Sequence, residues 1–195
     1  MKAETSVPVH EIIATRRSPR SFNETATINN EDLTAILEAA RWAASAFNGQ
    51  PWRFFVGKRG DEVFTQILSS LGDFNKSWAK NASSLILVAG KTTKSDGSIH
   101  ADYQFDCGLA VAQLVIETHH RGLIAHQMTG FDKAVAQDVL SIAAELIPVV
   151  VIAGQVDLGR REWQSIGVHG VYSLTEMVGE DEAMGQAADS LSRAA

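Results

Sequence analysis

The sequence predicts one α/β or α+β domain. Segments with helical spacing of apolar residues alternate with short apolar runs of strand length. The 195 residues suit one domain and are enough to bury a substantial core. No internal repeat or inter-domain linker interrupts them.

The elements follow in order. Residues 9–15 read as a short helix. Asn29 or Asn30 caps a second helix, with Glu31 and Asp32 in its favourable first turn. Leu33, Ile36, Leu37 and Ala40 give that helix one apolar face. Residues 53–57 read as a strand, 62–71 as an amphipathic helix, and 84–90 (Ser-Leu-Ile-Leu-Val-Ala-Gly) as a buried strand. The polar stretch 91–98, with Gly97, reads as a mobile loop. A long helix is predicted over 99–121, closed by Gly122 as its C-cap. Its apolar residues, among them Phe105, Leu109 and Ile116, lie on more than one face. Such a helix is deeply buried, or buried against a second subunit. Residues 123–127 read as a strand, 132–142 as a helix capped by Asp132, and 148–154 as a strand. Beyond these, Ser173-Leu174-Thr175-Glu176 fits a capping box that opens a tail helix.

Composition narrows the function. Hydrophobic residues make up 45% and charged residues 21%, which argues against wholesale disorder. A net charge of −6 argues against general nucleic-acid binding, because phosphate attraction needs an electropositive face. The longest apolar runs fall far short of a membrane span. Cys107 is the single cysteine, so no internal disulfide can form, and the first residues lack an apolar signal core. A cytoplasmic location is the expectation. His119 and His120 are adjacent and point to different faces, so they chelate poorly, and His100 with Asp102 is equally weak. Without His-Glu-x-x-His or Cys-x-x-Cys, no metal site is expected. There is also no GxGxxG, no P-loop and no GxSxG elbow.

Three separated stretches are rich in ligand-binding groups. The first, Ile12-Ile13-Ala14-Thr15-Arg16-Arg17-Ser18-Pro19-Arg20-Ser21-Phe22, is a basic knot closing a helix. Planar guanidiniums make paired, charge-assisted bonds to phosphate, and they also suit a solvated helix C-terminus. The second runs from Ala39 to Phe54, and its loop carries Ser45, Ala46, Phe47, Asn48 and Gln50 between a helix and a strand. These residues offer donors, acceptors and an apolar ring to a flat heteroatom-rich ligand; they also suit a plain hydrogen-bonded turn. The third, Gln127-Met128-Thr129-Gly130-Phe131-Asp132, joins a strand to a helix, and Gly130 permits close backbone approach.

In this order and context the three stretches resemble the FMN-dependent nitroreductase family, over about residues 9–153. The pattern His126-Gln127-Met128-x-Gly130-Phe131-Asp132 resembles its flavin-reductase-like branch. The resemblance implies an α+β nitroreductase fold: a central, mainly antiparallel sheet flanked by helices, in an intertwined homodimer. The whole chain, 1–195, would be one such domain, its tail from about 173 packing on the partner subunit.

The resemblance also assigns roles. Arg16 and Ser18 would contact the FMN phosphate and ribityl chain, with Arg20 next; Arg17 would hold the ring side or point outward. Ser45, Ala46, Asn48 and Gln50 would lie against FMN of the neighbouring subunit. Ala44 stands where the family usually has Pro. Met128, Thr129 and Gly130 would pass the flavin edge, a backbone N–H approaching N5. Thr129 replaces an acidic residue of some relatives, so substrate preference does not carry over. Asn75 would bond the pyrimidine side. Arg160 or Arg161 would close the phosphate site, although the usual Lys-x-Arg spacing is absent. His126 and Phe47 would line the substrate face, His126 having a core role as its alternative.

The implied activity is FMN-dependent NAD(P)H oxidoreduction. NADH or NADPH would pass hydride to the flavin, and a nitroaromatic, quinone or free flavin would take it. No side chain need act as acid or base, because the cofactor does the chemistry. Two alternatives stand beside this: a same-fold flavoenzyme with another reaction, such as dehalogenation or flavin fragmentation, and a non-catalytic flavin- or ligand-binding protein.

Overall fold

The computed structural model describes residues 2–156 except Glu4. All of these residues belong to one compact unit. Arg160, Arg161, the capping box at 173–176 and the tail from 173 lie outside the described residues.

Among the described residues, four strands form one antiparallel sheet: β1 (Trp52–Lys58), β2 (Ser84–Lys91), β3 (Leu123–Met128) and β4 (Leu146–Val156). Among the described residues their order is β1-β2-β4-β3, which makes β3 an edge strand there. Six helices of the described residues flank the sheet: α1 (Glu11–Thr15), α2 (Asn30–Arg41), α3 (Glu62–Ser70), α4 (Asp73–Ala79), α5 (Tyr103–His120) and α6 (Lys133–Val139).

Strand β2 explains the layering. It is apolar on both faces, which suits a strand covered on both sides. Side chains alternate across a strand. Ile86 and Val88 therefore pack with Leu33 and Ile36 of α2 and with Ala110 and Leu114 of α5. Leu85 and Leu87 face the other way, onto Phe64 and Ile67 of α3, Ala79 of α4 and Ala136 of α6. Two apolar cores thus sandwich the sheet.

Local chemistry sets the helix ends. Asn29 is the cap of α2, its Oδ1 accepting the Asp32 N–H at 2.7 Å. Asp132 caps α6 by accepting from Ala134 and Val135. Gly122, at φ +70°, follows α5 where a C-cap glycine is expected. Replacing Asn29 by Ala is expected to cost about 1 kcal/mol. Chemical denaturation should show this as a lower midpoint with an unchanged slope.

Three expectations need correction. Helix α5 begins at Tyr103, not at residue 99. Ile99 pairs with Thr93, and the His100 N–H donates to the Thr92 carbonyl at 2.8 Å, so an extended pairing holds the first residues out of the helix. Asn75, expected just ahead of the helix that precedes the strand at 84–90, lies inside that helix, α4. Helix α6 stops at Val139, because the chain turns through Ser141 at φ +50°. Of the two burial readings of α5, full burial within one chain does not hold: Phe105 is 70% exposed and Ile116 43%. Among the described residues no helix is long and apolar enough to cross a membrane.

Candidate functional site

Segment 16–22 wraps the edge strand β3. On the α5 side, Arg16 Nη1 donates to Ser18 Oγ at 3.0 Å, and Ser18 Oγ donates to Gln127 Oε1 at 3.4 Å. The chain then crosses the edge, where the Pro19 carbonyl meets His126 Nδ1 at 2.9 Å. On the α4 side, Phe22 stacks on Trp78, with ring centroids 5.8 Å apart. Alternation along β3 accounts for this: His126 and Gln127 are neighbours in sequence and so point to opposite faces. The Arg20 guanidinium lies over the exposed Phe74 ring, 5.2 Å from its centroid. Arg17 turns back, its Nη1 donating to the carbonyls of Ala14 and Arg16 at 3.2 and 2.7 Å.

The turn after β3 is tied to α4. The Gly130 carbonyl accepts from the Gly72 N–H at 3.1 Å and from Asn75 Nδ2 at 3.0 Å. A Cβ on Gly130 would lie 2.8 Å from Asn75 Nδ2, so only glycine keeps this contact undisturbed. Met128 is buried in the core beside α3 and α6, while Thr129 and Gly130 are exposed. Arg16 and Ser18 thus meet β3 on its α5 side through Gln127, while Arg20, His126, Asn75 and Gly130 lie towards α4. On the α5 side a cleft of about 380 Å³ opens between Ile13, Arg16 and Ser18 and the Gly108, Ala112 and Ile116 positions of α5, with Gln127 of β3 at its wall.

The loop 45–50 makes different contacts, near the start of α5. Ser45 Oγ accepts the Gln50 N–H at 3.1 Å, and Gln50 Nε2 donates to Asn48 Oδ1 at 2.9 Å. The Ala46 N–H donates to the Asp106 carboxylate at 3.2 and 3.3 Å. Phe47 is 98% exposed, with Lys94 Nζ 5.8 Å from its ring centroid. A second cleft, of about 340 Å³, lies between Ser45, Ala46, Phe105 and Leu109.

Electrostatics separates the titratable groups. Burial pushes the His126 pKa below its usual 6.5, outweighing the Pro19 carbonyl bond, which acts the other way. A depressed histidine pKa makes the folded state bind fewer protons than the unfolded chain. Stability is therefore present above pH 6.5 and falls as pH drops from there toward the lower folded value. His126→Gln is expected to flatten this slope in denaturation midpoints measured across that window. Burial, and then the charge of Asp106, pushes the Cys107 thiol up to about 12. Cys107 therefore stays protonated and packs as core, without nucleophilic character. No cluster of three or more His, Cys, Asp or Glu able to hold a metal occurs among the described residues.

Sequence reasoning did not single out Gln127, Phe74, Trp78, His100 or Asp106 as site residues. Gln127 stood inside the third motif, and an aspartate in an otherwise apolar helix was the available signal for Asp106.

An antiparallel sheet between two helical layers, with a basic strap across β3, defines an α+β domain. The chain belongs to the nitroreductase family, whose model matches residues 13–155, and it has the nitroreductase fold. An uncharacterized 15.4 kDa protein from the ask 5′ region of Mycolicibacterium smegmatis is 45% identical over 89 residues, 41% of this chain and 58% of that protein. The major NAD(P)H-flavin oxidoreductase of Aliivibrio fischeri is 29% identical over 86 residues, 43% of this chain and 39% of that protein. The chain thus matches less than two thirds of either relative's length. A solved structure described as an oxidoreductase containing FMN superposes with a TM-score of 0.75 at 32% identity, covering 79% of both chains.

Proposed function

We propose that this chain is an FMN-dependent NAD(P)H oxidoreductase acting on nitroaromatics, quinones or free flavin. The main support is that β3 and the turn after it tie in two distant segments, Ser18 through Gln127 and Asn75 through the Gly130 carbonyl. The family, the flavin oxidoreductase of Aliivibrio fischeri and the FMN-containing structure point the same way.

The donor set fits FMN. Arg16 and Ser18 line the cleft and would hold the phosphate through charge-assisted bonds. Arg20 Nε is buried and has no hydrogen-bond partner among the described residues, so it is a further donor available to an anionic ligand. Asn75 carries a carboxamide of the kind that pairs with the flavin pyrimidine. Gly130 leaves the backbone bare where a Cβ would crowd Asn75. When bound, FMN supplies the ability to accept and pass on a hydride. The protein's part is to bind, to orient and to leave one ring face open to two substrates in turn. Arg17, Met128, Arg160 and Arg161 remain proposals for the same site, Met128 through its backbone.

The same reading makes the protein a homodimer. Phe105 and Ile116 of α5, with Ile13 of α1, are large apolar residues left exposed. A second copy would cover them and bring the loop 45–50, with Ser45, Ala46, Asn48 and Gln50, onto its partner's flavin. His126 and Phe47 would then border the substrate. A cytoplasmic location belongs to the same proposal, and a chain with one cysteine needs no oxidising compartment for an internal disulfide.

The test is uptake of FMN. The purified protein should show flavin absorption bands, or gain them with added FMN and quench its fluorescence. A colourless protein that takes up no FMN would overturn the reading.

A further inference from the structure

The loop 45–50 is held in a costly conformation. Phe47, Asn48 and Gln50 have φ of +52°, +57° and +43°. Each lies in the left-handed region, which disfavours side chains other than glycine by roughly 1–2 kcal/mol per residue. Such backbone persists only where its surroundings over-determine it.

The surroundings here are a buried pair. Asp106 and His100 are 2% and 3% exposed. The Asp106 carboxylate accepts the Ala46 N–H with both oxygens. His100 Nε2 is 3.5 Å from Asp106 Oδ2, and neither ring nitrogen has a hydrogen-bond partner among the described residues. His100 also sits directly beneath the loop: a Cβ on Gly49 would lie 3.3 Å from its Nε2. A buried carboxylate needs a cation or further donors, and a buried imidazole needs a partner. A movement of a few tenths of an ångström lets His100 Nε2–H donate to Asp106. The carboxylate would then be braced from below while holding the loop above.

We propose that His100 and Asp106 are positioning residues that clamp the loop 45–50 in its ligand-ready shape. His100 orients and compensates the Asp106 carboxylate, and Asp106 fixes the loop through the Ala46 N–H. That the clamped loop then serves FMN binding rests on the function proposed above.

The test reads the loop and the cofactor separately. Amide hydrogen exchange at Ala46 and Gln50, FMN affinity and the global denaturation midpoint are measured for the wild type and for His100→Ala, His100→Gln and Asp106→Asn. His100→Ala should speed exchange at both amides by about tenfold, the scale of one hydrogen bond to a charged group. FMN affinity should fall by a similar factor. His100→Gln, whose amide nitrogen replaces Nε2, should restore both towards wild type, which a purely packing role would not require. Asp106→Asn keeps an acceptor but loses the charge and should fall between. Unchanged exchange in His100→Ala and Asp106→Asn, with the fold intact, overturns the clamp. Faster exchange with unchanged FMN affinity overturns its role in cofactor binding. If the wild type takes up no FMN, the functional reading fails, and exchange alone decides the clamp.

Discussion

Replacing Arg16 and Ser18 together by Ala is expected to weaken FMN binding by about a hundredfold or more. Arg16 Nη1 rests on Ser18 Oγ, and Ser18 on Gln127, so the two side chains stand ordered at the cleft beside α5. Ordered donors lose little freedom when a phosphate arrives. Hydrogen bonds to a charged group contribute roughly 1.5–3 kcal/mol each. Losing two such partners therefore corresponds to at least about 3 kcal/mol, or two orders of magnitude in Kd. The fold should survive, because Ser18 is exposed and Arg16 only half-buried. Arg17→Ala is the informative comparison. Its guanidinium turns back onto the carbonyls of Ala14 and Arg16, so it should lower affinity far less. Titration by flavin fluorescence checks both. Equal losses would place the phosphate elsewhere along the strap.

Gly57→Ala is expected to be the most damaging small substitution in the described core. Gly57 lies in β1, paired with Leu85, where α3 crosses the sheet. A Cβ there would come within 2.2 Å of the Phe64 N, 2.5 Å of the Phe64 Cα and 2.8 Å of the Val63 carbonyl carbon. All three are backbone atoms, so no side chain can swing aside. Helix α3 would have to lift off the sheet and loosen Phe64 and Ile67 in the core. Overpacking of this kind costs about 3 kcal/mol. For a chain of this size that lowers the thermal midpoint by about 10 °C. Calorimetry on the variant measures it, and an unchanged midpoint would mean that α3 moves freely over β1.

What the sequence revealed follows the range of each interaction. Asn29 and Asp132 cap helices through their own side chains, over two or three residues, so their roles were visible in the chain. The run at 84–90 declares itself because a strand covered on both faces needs no alternation. The start of α4 is not legible because Gly72 offers no capping side chain, so the chain reads as helical only after Asn75. Its start is tied instead to Gly130, a contact 58 residues away through the Gly72 N–H. The start of α5 was misplaced for a related reason, the pairing of Ile99 with Thr93.

The candidate site divides the same way. Arg16, Ser18 and Gly130 stand out by residue type and by resemblance, and the structure adds how the strap is held to β3: Ser18 bonds Gln127, and the Pro19 carbonyl meets His126. Asp106 and His100 could not be picked out, because Asp106 reaches the loop only across 60 residues of sequence. Asn75 was singled out in the wrong local setting, yet its bond to Gly130 ties it to the turn after β3.

Anaerobic reduction of the FMN-loaded protein tests the central claim most directly. NADH and then NADPH are added while the visible spectrum is recorded, followed by a nitroaromatic or a quinone. The account predicts that the flavin bands bleach with at least one nucleotide and return when the acceptor is added. Flavin bands that neither nucleotide bleaches would contradict it and leave the fold holding FMN without the proposed oxidoreductase activity.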